Sequence, residues 1–152
     1  MDFLARREHS AEELRQKLTK RFSKRDVPRD TVESVVEQLT SEGLQCDRRY
    51  AESLIRQAIS RGYGPRYIES LLKQKRVDDP RQVLMAVVDL GEIDWFERAE
   101  AVYSKKYHRD VSIEDWDDLQ RERARRLRFM QHRGFDIEHF NHLIETLSQE
   151  ST

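Results

Sequence analysis

Cysteine is almost missing from this chain of 152 residues, which has Cys46 alone. One cysteine excludes an intramolecular disulfide and any zinc site built from several cysteines, and it suits a reducing cytosol. The chain also lacks an apolar run of the roughly 18–20 residues that span a bilayer, and residues 1–6 lack the basic-then-apolar order of a signal peptide. We therefore expect a cytoplasmic protein that does not use a membrane.

Apolar residues are also few, at 37% of the chain against 38% charged residues. The charged share is far above the roughly 25% of ordinary soluble domains, so little remains for a thick core. Lysine plus arginine number 28 and aspartate plus glutamate 29, which gives a net charge of -1. Any nucleic-acid contact must therefore come from local clustering of charge. The composition predicts an elongated, all-α, solvent-rich protein.

The starts of helices are marked by caps and prolines. Ser10 begins a capping-box pattern, and Asp47 and Asp79 are suited to cap two later helices. The three prolines precede apolar stretches of helical period, where each can lie in a first helical turn; they are Pro28, Pro65 and Pro80.

The ends of helices are marked by glycines that follow apolar-periodic stretches. We expect each to adopt the left-handed conformation that ends a helix; they are Gly43, Gly62, Gly91 and Gly134. Together these signals predict about nine helices and no strand. The nine include a partial helix before Ser10 and a long helix from about Ile113 to Arg133.

A weak internal repeat links three parts of the chain. The same pattern begins at Arg7, Arg61 and Arg133. It consists of the arginine, a break, a cap residue and two apolar residues. Stacked units of this kind bury a thin, continuous core. We predict a tandem array of three-helix repeats, with the first at residues 1–45, the second at 46–91 and the third at 92–152. Thin arrays of this kind can be monomeric, and we expect a monomer.

The sequence lacks a recognisable catalytic constellation. Gly62 and Gly64 form a lone GxG after a helix rather than a phosphate-binding loop, and no nucleophile motif is present. Glu138, His139 and His142 could share a helix face as metal ligands, but a polar helix face explains them better. The acids at 115, 117 and 118 fit the first turn of the long helix. We therefore predict no enzyme activity, no metal and no cofactor.

Positive charge is concentrated in two segments. Residues 48–76 carry eight basic residues against Glu52 and Glu69, and residues 121–133 carry six arginines against Glu122. Such clusters with aromatic neighbours can bind phosphates or an acidic protein surface. Alternatively they form a solvated face, or Arg125, Arg126 and Arg128 pair with the acidic stretch at residues 89–118. The candidate partner- or DNA-binding residues are Arg48, Arg49, Arg56, Arg61, Tyr63, Arg66, Lys73, Lys75, Arg121, Arg125, Arg128 and Arg133.

The turn from Arg61 to Arg66 is the most distinctive local element. Two glycines and a helix-starting proline hold Tyr63 between two arginines. Tyr63 could contact a partner or could pack under the turn. Arg61 and Arg66 are the stronger candidates for contact.

Three stretches of the sequence carry distinctive motifs. The first is Arg6-Arg7-Glu8-His9-Ser10 with Glu13-Leu14 and Lys17-Leu18. The second runs from Asp47 to Arg76 and includes Tyr50-Ala51 and Arg61-Gly62-Tyr63-Gly64-Pro65, followed by Ile68, Leu72 and Lys75. The third is Phe129-Met130 with Arg133-Gly134-Phe135. In their order and spacing, these stretches resemble the RecX family of bacterial regulators of the RecA recombinase.

The resemblance implies an all-helical array of three-helix repeats without catalytic activity. It implies binding to the RecA nucleoprotein filament, with inhibition of its ATPase, strand-exchange and coprotease functions in recombination, DNA repair and the SOS response. Contact with single- or double-stranded DNA is a further expectation. The alternative is a helical module that binds nucleic acid regardless of sequence.

The sequence departs from the family pattern at several positions. Gln45-Cys46 replaces a further acid beside Asp47, and Glu69 stands where a basic residue is common. Arg76 stands where glycine often follows Lys75. A left-handed residue other than glycine costs about 1 kcal/mol, so we expect that helix to end differently.

Overall fold

The computed structural model describes residues 4, 7–22, 28–43, 45–108 and 112–148. These residues form helices joined by turns and contain no strand, so the predicted all-α class is confirmed. From residue 7 onward the described ranges contain eight α-helices: α1 Ala11–Arg21, α2 Arg29–Ser41, α3 Asp47–Ser60, α4 Pro65–Gln74, α5 Pro80–Leu90, α6 Trp95–Lys106, α7 Trp116–His132 and α8 Ile137–Glu145, followed by a 3-10 turn at Thr146–Ser148. The partial helix expected before Ser10 falls mostly outside the described residues.

The chain divides into two compact units, and the boundary lies within α3, after Leu54. In the first unit α1 contacts α2 across a small apolar core. In the second unit α4 contacts α5, and α8 contacts both α6 and α7. The core of the first unit consists of Leu14, Leu18, Val32, Val36 and Leu39. The main cluster of the second consists of Ala99, Tyr103, Met130, Phe135, Phe140 and Ile144.

Three of the four predicted glycine helix ends are confirmed. The backbone φ angles of Gly43, Gly62 and Gly134 are 75°, 87° and 94°. The prediction for Gly91 is wrong, because its φ is -85° and Glu92 takes the left-handed position instead, at 50°. The amide of Ile93 then donates to Val88, so α5 closes one residue later than the glycine indicated.

The end of α4 shows the opposite outcome for a non-glycine residue. Arg76 adopts a left-handed φ of 58°, and the Val77 amide donates to Leu72 at 3.0 Å. The expected different end is therefore wrong, since the helix closes as it would with glycine. The left-handed backbone at Arg76 costs about 1 kcal/mol and allows the Val77 hydrogen bond to form.

Caps at helix starts agree only in part with the predictions. The Ser10 hydroxyl accepts from the Glu13 amide at 3.0 Å, as predicted. Pro65 and Pro80 occupy the first turn, whereas Pro28 is itself the N-cap residue of α2. Asp79 stands at the N-cap of α5 but is left-handed and makes no side-chain cap bond.

Asp47 does not cap its own helix. It is the first residue of α3, and its Oδ1 accepts from the Ala11 amide and from Gln45 Nε2, both at 2.8 Å. The carboxylate thereby satisfies a free amide at the start of α1, where negative charge is favoured. The same arrangement fixes the chain before α3 against α1.

The long helix α7 begins at Trp116, three residues after the predicted Ile113. Asp115 is its N-cap residue and accepts from the Asp117 amide at 3.0 Å. Asp117 and Asp118 lie in the first turn. These acids therefore occupy the structural position predicted for them, at the positive end of the helix dipole.

Candidate partner-binding surface

Two turns that begin with the repeated arginines meet in the second unit. The Gly64 amide donates to the Arg133 carbonyl at 2.7 Å, and the Arg66 amide donates to the Gly134 carbonyl at 2.9 Å. We call this contact between residues 61–66 and residues 133–136 the turn junction. It holds the start of α4 against the connection between α7 and α8 through main-chain atoms.

Glycine is required on both sides of the turn junction. A Cβ on Gly64 would lie 2.6 Å from the Gly134 carbonyl carbon, although the φ of Gly64 is ordinary. A Cβ on Gly134 would lie 2.5 Å from the Tyr67 amide nitrogen, and φ at Gly134 is also left-handed. Real Cβ atoms do not approach backbone this closely, so any side chain would push the turns apart.

Aromatic rings and guanidinium groups stack beside the turn junction. The Tyr63 and Tyr67 rings lie 3.8 Å apart between centroids and are nearly parallel. The Arg133 guanidinium is 5.1 Å from the Tyr63 ring and 5.5 Å from the Phe129 ring. Cation–π contacts of this kind stabilise by about 0.5–2 kcal/mol each. The Tyr63 ring therefore packs against other side chains of the protein, and the residue is half-buried.

The arginines of the two turns differ in their exposure and in the groups that they contact. Arg133 is half-buried and donates from Nη1 to the Arg61 carbonyl at 3.3 Å, so its guanidinium supports the junction. Arg66 pairs with Asp136 but is largely exposed. The Arg61 side chain is exposed and has no ion pair among the described residues. Arg61 and Arg66 therefore face solvent, and Arg133 largely faces inward.

Three arginines of α7 form an exposed row. Arg121, Arg125 and Arg128 are four and three residues apart, which places them on one face of the helix. Arg121 is 80% exposed and Arg125 is 72% exposed. Their pairs with Asp118 at 3.5 Å and Glu122 at 3.6 Å are weak surface contacts that leave the guanidinium groups open to a partner.

Arg126 points to the opposite side of α7 and is only 4% exposed. It donates to Tyr103 Oη at 2.6 Å and to Glu122 Oε1 at 3.0 Å, and it lies 4.3 Å from the Tyr107 ring centroid. Burial lowers the pKa of Arg126, but the hydrogen bonds to Tyr103 and Glu122 more than offset this and raise it. Arg126 is a buried structural cation.

The alternative that these arginines pair with the acidic stretch at residues 89–118 is wrong for Arg125 and Arg126, which both pair with Glu122 of their own helix. Arg128 has no ion pair in the part of the chain that the structure describes. Short-range partners within a helix take precedence because they are three or four residues away and need no loop to close.

The remaining candidates are not part of the turn junction. In the first unit, Arg48 pairs with Glu52 and Arg49 with Glu8, each at 3.3 Å. In the second unit, Lys73 pairs with Glu69 at 3.3 Å. Arg56 is exposed on α3, and Lys75 is the exposed C-cap residue of α4.

One group of side chains in the described residues has the spacing of metal ligands. Asp136, Glu138 and His139 offer atoms within 4.8 Å of one another. His142, which the sequence placed with them, is not a member of this group, although its ring and that of His139 both lie near Phe96, at 6.5 Å and 5.1 Å between centroids. Arg66 already occupies the Asp136 carboxylate, so a cation there would have to displace a guanidinium.

Sequence reasoning missed several residues of this surface. Tyr67 completes the ring stack, and its spacing of four from Tyr63 was the only available signal. Asp136 pairs with Arg66, a contact between distant parts of the sequence. Arg98 is exposed on α6 and has no ion pair within the described ranges, and nothing in its local sequence distinguishes it.

Together these observations define a protein that is all-α in its described residues and carries exposed arginines on its helices and turns. Residues 47–80 match the family model for the second three-helix domain of RecX. That segment contains α3, α4 and the start of α5. The match agrees with an array of three-helix repeats. No helix in the described part of the chain is both long enough and apolar enough to cross a membrane.

Relatives match nearly the whole chain. The regulatory protein RecX of Halorhodospira halophila is 37% identical over 133 residues, which are 88% of this chain and 76% of the relative. That of Vibrio vulnificus is 36% identical over 144 residues, covering 95% of this chain and 87% of the relative. That of Pseudomonas entomophila is 35% identical, covering 95% and 86%. The chain belongs to the RecX family of regulatory proteins.

Proposed function

We propose that this protein binds the RecA nucleoprotein filament and lowers its ATPase, strand-exchange and coprotease activities. The observation that carries the proposal is the match of 95% of the chain to proteins named regulatory protein RecX. The protein acts in the cytoplasm, in recombination, DNA repair and the SOS response. It works by binding, as a monomer of three repeats at residues 1–45, 46–91 and 92–152, without chemistry or a cofactor of its own.

The exposed arginines support binding to a partner rich in negative charge. Arg121, Arg125 and Arg128 form one row, and Arg61 and Arg66 lie at the turn junction. Arginine pairs with carboxylates and phosphates through the same planar fork, so either the recombinase or its bound DNA can supply the acceptors. Tyr63 and Arg133 hold the turn junction in shape.

The test is a titration of this protein into RecA hydrolysing ATP on single-stranded DNA, at fixed salt. We expect hydrolysis to fall at protein concentrations too low to coat the DNA, because inhibition acts through the filament. If hydrolysis persists, or falls only once the DNA is saturated, filament regulation is not the function.

The second candidate function is a module that binds nucleic acid regardless of sequence. The row of Arg121, Arg125 and Arg128 favours it, because three guanidinium groups along one helix can contact successive phosphates. This function requires binding to DNA without RecA, with an affinity that falls steeply as salt rises. Salt titrations with bare DNA and with filaments separate the two functions.

A further inference from the structure

A small cavity lies between the turn at residues 61–64 and helix α6. Its volume is about 130 Å³, and it is half open to solvent. It lies entirely in the second unit. Its lining residues are Ile59, Ser60, Gly62, Tyr63, Arg98, Ala101, Val102 and Phe135.

The interior of this cavity is apolar. Ile59 and Phe135 are buried, and a Cβ on Gly62 would already lie 3.2 Å from Val102 Cγ2. An apolar cavity of about 150 Å³ accepts a benzene ring, so the space here fits one leucine or phenylalanine side chain. A phosphate placed against these apolar side chains would lose hydration and could pair with Arg98 only at the opening, so the apolar part of the cavity favours an apolar group.

The opening of the cavity is positively charged. Arg98 lines it, is exposed and has no ion pair among the residues that the structure describes. Arg61, which directly precedes the lining residue Gly62, is also exposed and has no side-chain ion pair in the described ranges. The unpaired Arg98 guanidinium beside apolar lining residues is complementary to an apolar side chain with a carboxylate next to it.

A larger groove of about 480 Å³ between α4 and α5 has a different character. There both arginines already have acidic partners, because Arg66 pairs with Asp136 and Arg81 with Glu69, and the lining residue Asp89 adds a negative charge. The small cavity therefore has the clearer complementarity to an acidic partner.

We propose that the cavity beside Arg98 is an anchor pocket for a protein partner that presents one apolar side chain flanked by an acidic residue. The inference rests on the proposed function and refines it, because it assigns this part of the surface to the recombinase polypeptide and not to DNA. Such anchors contribute most of the binding energy of many interfaces, because the surrounding contacts exclude water from them.

The test uses the full chain with two substitutions and a matched control. Ala101→Leu fills the pocket from an exposed lining position, and Arg98→Glu reverses the charge at its opening. Ser104→Leu adds the same side chain at an exposed position of α6 that does not line the pocket. The probes are RecA filaments on single-stranded DNA, and single-stranded DNA alone, at fixed salt.

We expect Ala101→Leu and Arg98→Glu each to weaken filament binding by at least about tenfold, because each blocks or repels the anchor. Ser104→Leu should bind filaments as the parent does, and Ala101→Leu should bind bare DNA as the parent does. Should Ala101→Leu fail to fold, Arg98→Glu decides alone, since it alters an exposed side chain.

Parental filament binding by both variants would overturn the anchor pocket and leave the proposed function standing. An equal loss of binding to bare DNA by Ala101→Leu would also overturn it, because the pocket would then belong to a nucleic-acid surface. Failure of the parent protein to bind filaments would overturn the proposed function, and the anchor pocket with it.

Discussion

The Gly64 amide donates a 2.7 Å hydrogen bond to the Arg133 carbonyl, which joins the turn before α4 to the end of α7. This contact and its neighbour, Arg66 to Gly134, are made of main-chain atoms only. The strength of the turn junction therefore depends on how closely two stretches of backbone approach. That closeness depends on the missing side chains of Gly64 and Gly134.

Gly64→Ala tests the junction without introducing backbone strain, because φ at Gly64 is -93°. We expect the free energy of unfolding of the second unit to fall by about 2 kcal/mol or more, since the added Cβ breaks two buried hydrogen bonds. Trp95, which packs against the main cluster of that unit, provides a fluorescence signal for urea unfolding.

A comparison of Gly134→Ala with Gly43→Ala separates the steric collision of an added Cβ from the backbone strain of a positive φ. Both glycines have positive φ, but a Cβ on Gly43 meets no atom within 4 Å. We expect about 1 kcal/mol of destabilisation for Gly43→Ala and a clearly larger loss for Gly134→Ala. Equal losses, measured by far-ultraviolet circular dichroism, would contradict the turn junction described above.

Arg126→Met tests the buried cation. We expect a loss of about 2–3 kcal/mol in unfolding free energy, because Tyr103 and Glu122 both lose their hydrogen-bond donor in a buried setting. Arg125→Met is the matched control, since Arg125 pairs with the same Glu122 but is 72% exposed. The control should be close to neutral in urea unfolding. A neutral Arg126→Met would show that the buried network adds nothing to stability.

His9 gives the first unit a pH dependence. The ring is 1% exposed, with Nδ1 3.0 Å from the Arg7 carbonyl and Nε2 2.9 Å from Lys17 Nζ. Burial is the main reason that the pKa of His9 lies below 6.5, and the positive charges of Arg7 and Lys17 add to it, while the Arg7 carbonyl and Glu13 oppose it. The folded state therefore binds fewer protons than the unfolded state.

Stability from His9 is fully present above pH 6.5 and is lost as the pH falls from there through the lowered pKa. We expect the protection factors of the α1 amides, which correct for the intrinsic exchange rate at each pH, to fall over that range in the parent protein. His9→Gln should remove most of this dependence, and the exposed His108→Gln should leave it intact. An unchanged slope in His9→Gln would show that other groups control the first unit.

The arginine row predicts a functional change without a structural one. Replacing Arg125 and Arg128 together with glutamate should reduce inhibition of RecA by about tenfold or more, since attraction to the partner becomes repulsion. Arg29→Glu, on the exposed start of α2, is the control for the change of charge at a position outside the row. ATP hydrolysis by RecA on single-stranded DNA measures both. Equal inhibition by the double variant and the parent would remove the row from the mechanism.

Local signals in the sequence predicted the helices well, and contacts between distant residues poorly. Ser10 and Gly62 act through neighbours within a few positions, so spacing was sufficient to predict their roles. From the sequence, Asp47 looked equally suited to cap its own helix. Its carboxylate accepts from the Ala11 amide instead. Only tertiary folding brings these two residues together.

The same limit applies to the candidate surface. The repeat after Arg61 and Arg133 indicated that the two turns are related, yet gave no sign that they touch. An arginine-rich helix also hides which member is buried, so Arg126 could not be distinguished from Arg125 or Arg128. The pocket beside Arg98 depends on Arg98 having no ion pair among the described residues, and a single sequence does not reveal which charges remain unpaired after folding.

Because the turn junction is closed by backbone hydrogen bonds, an exposed side chain on its turns that makes no contact of its own is not constrained by folding. Arg61, for example, contributes only its carbonyl to the contact with Arg133, so its side chain can be exchanged at little cost to stability. Affinity for a partner and thermal stability can thus be adjusted separately in this molecule. An engineer could retarget the turns and keep the scaffold, provided that both glycines remain.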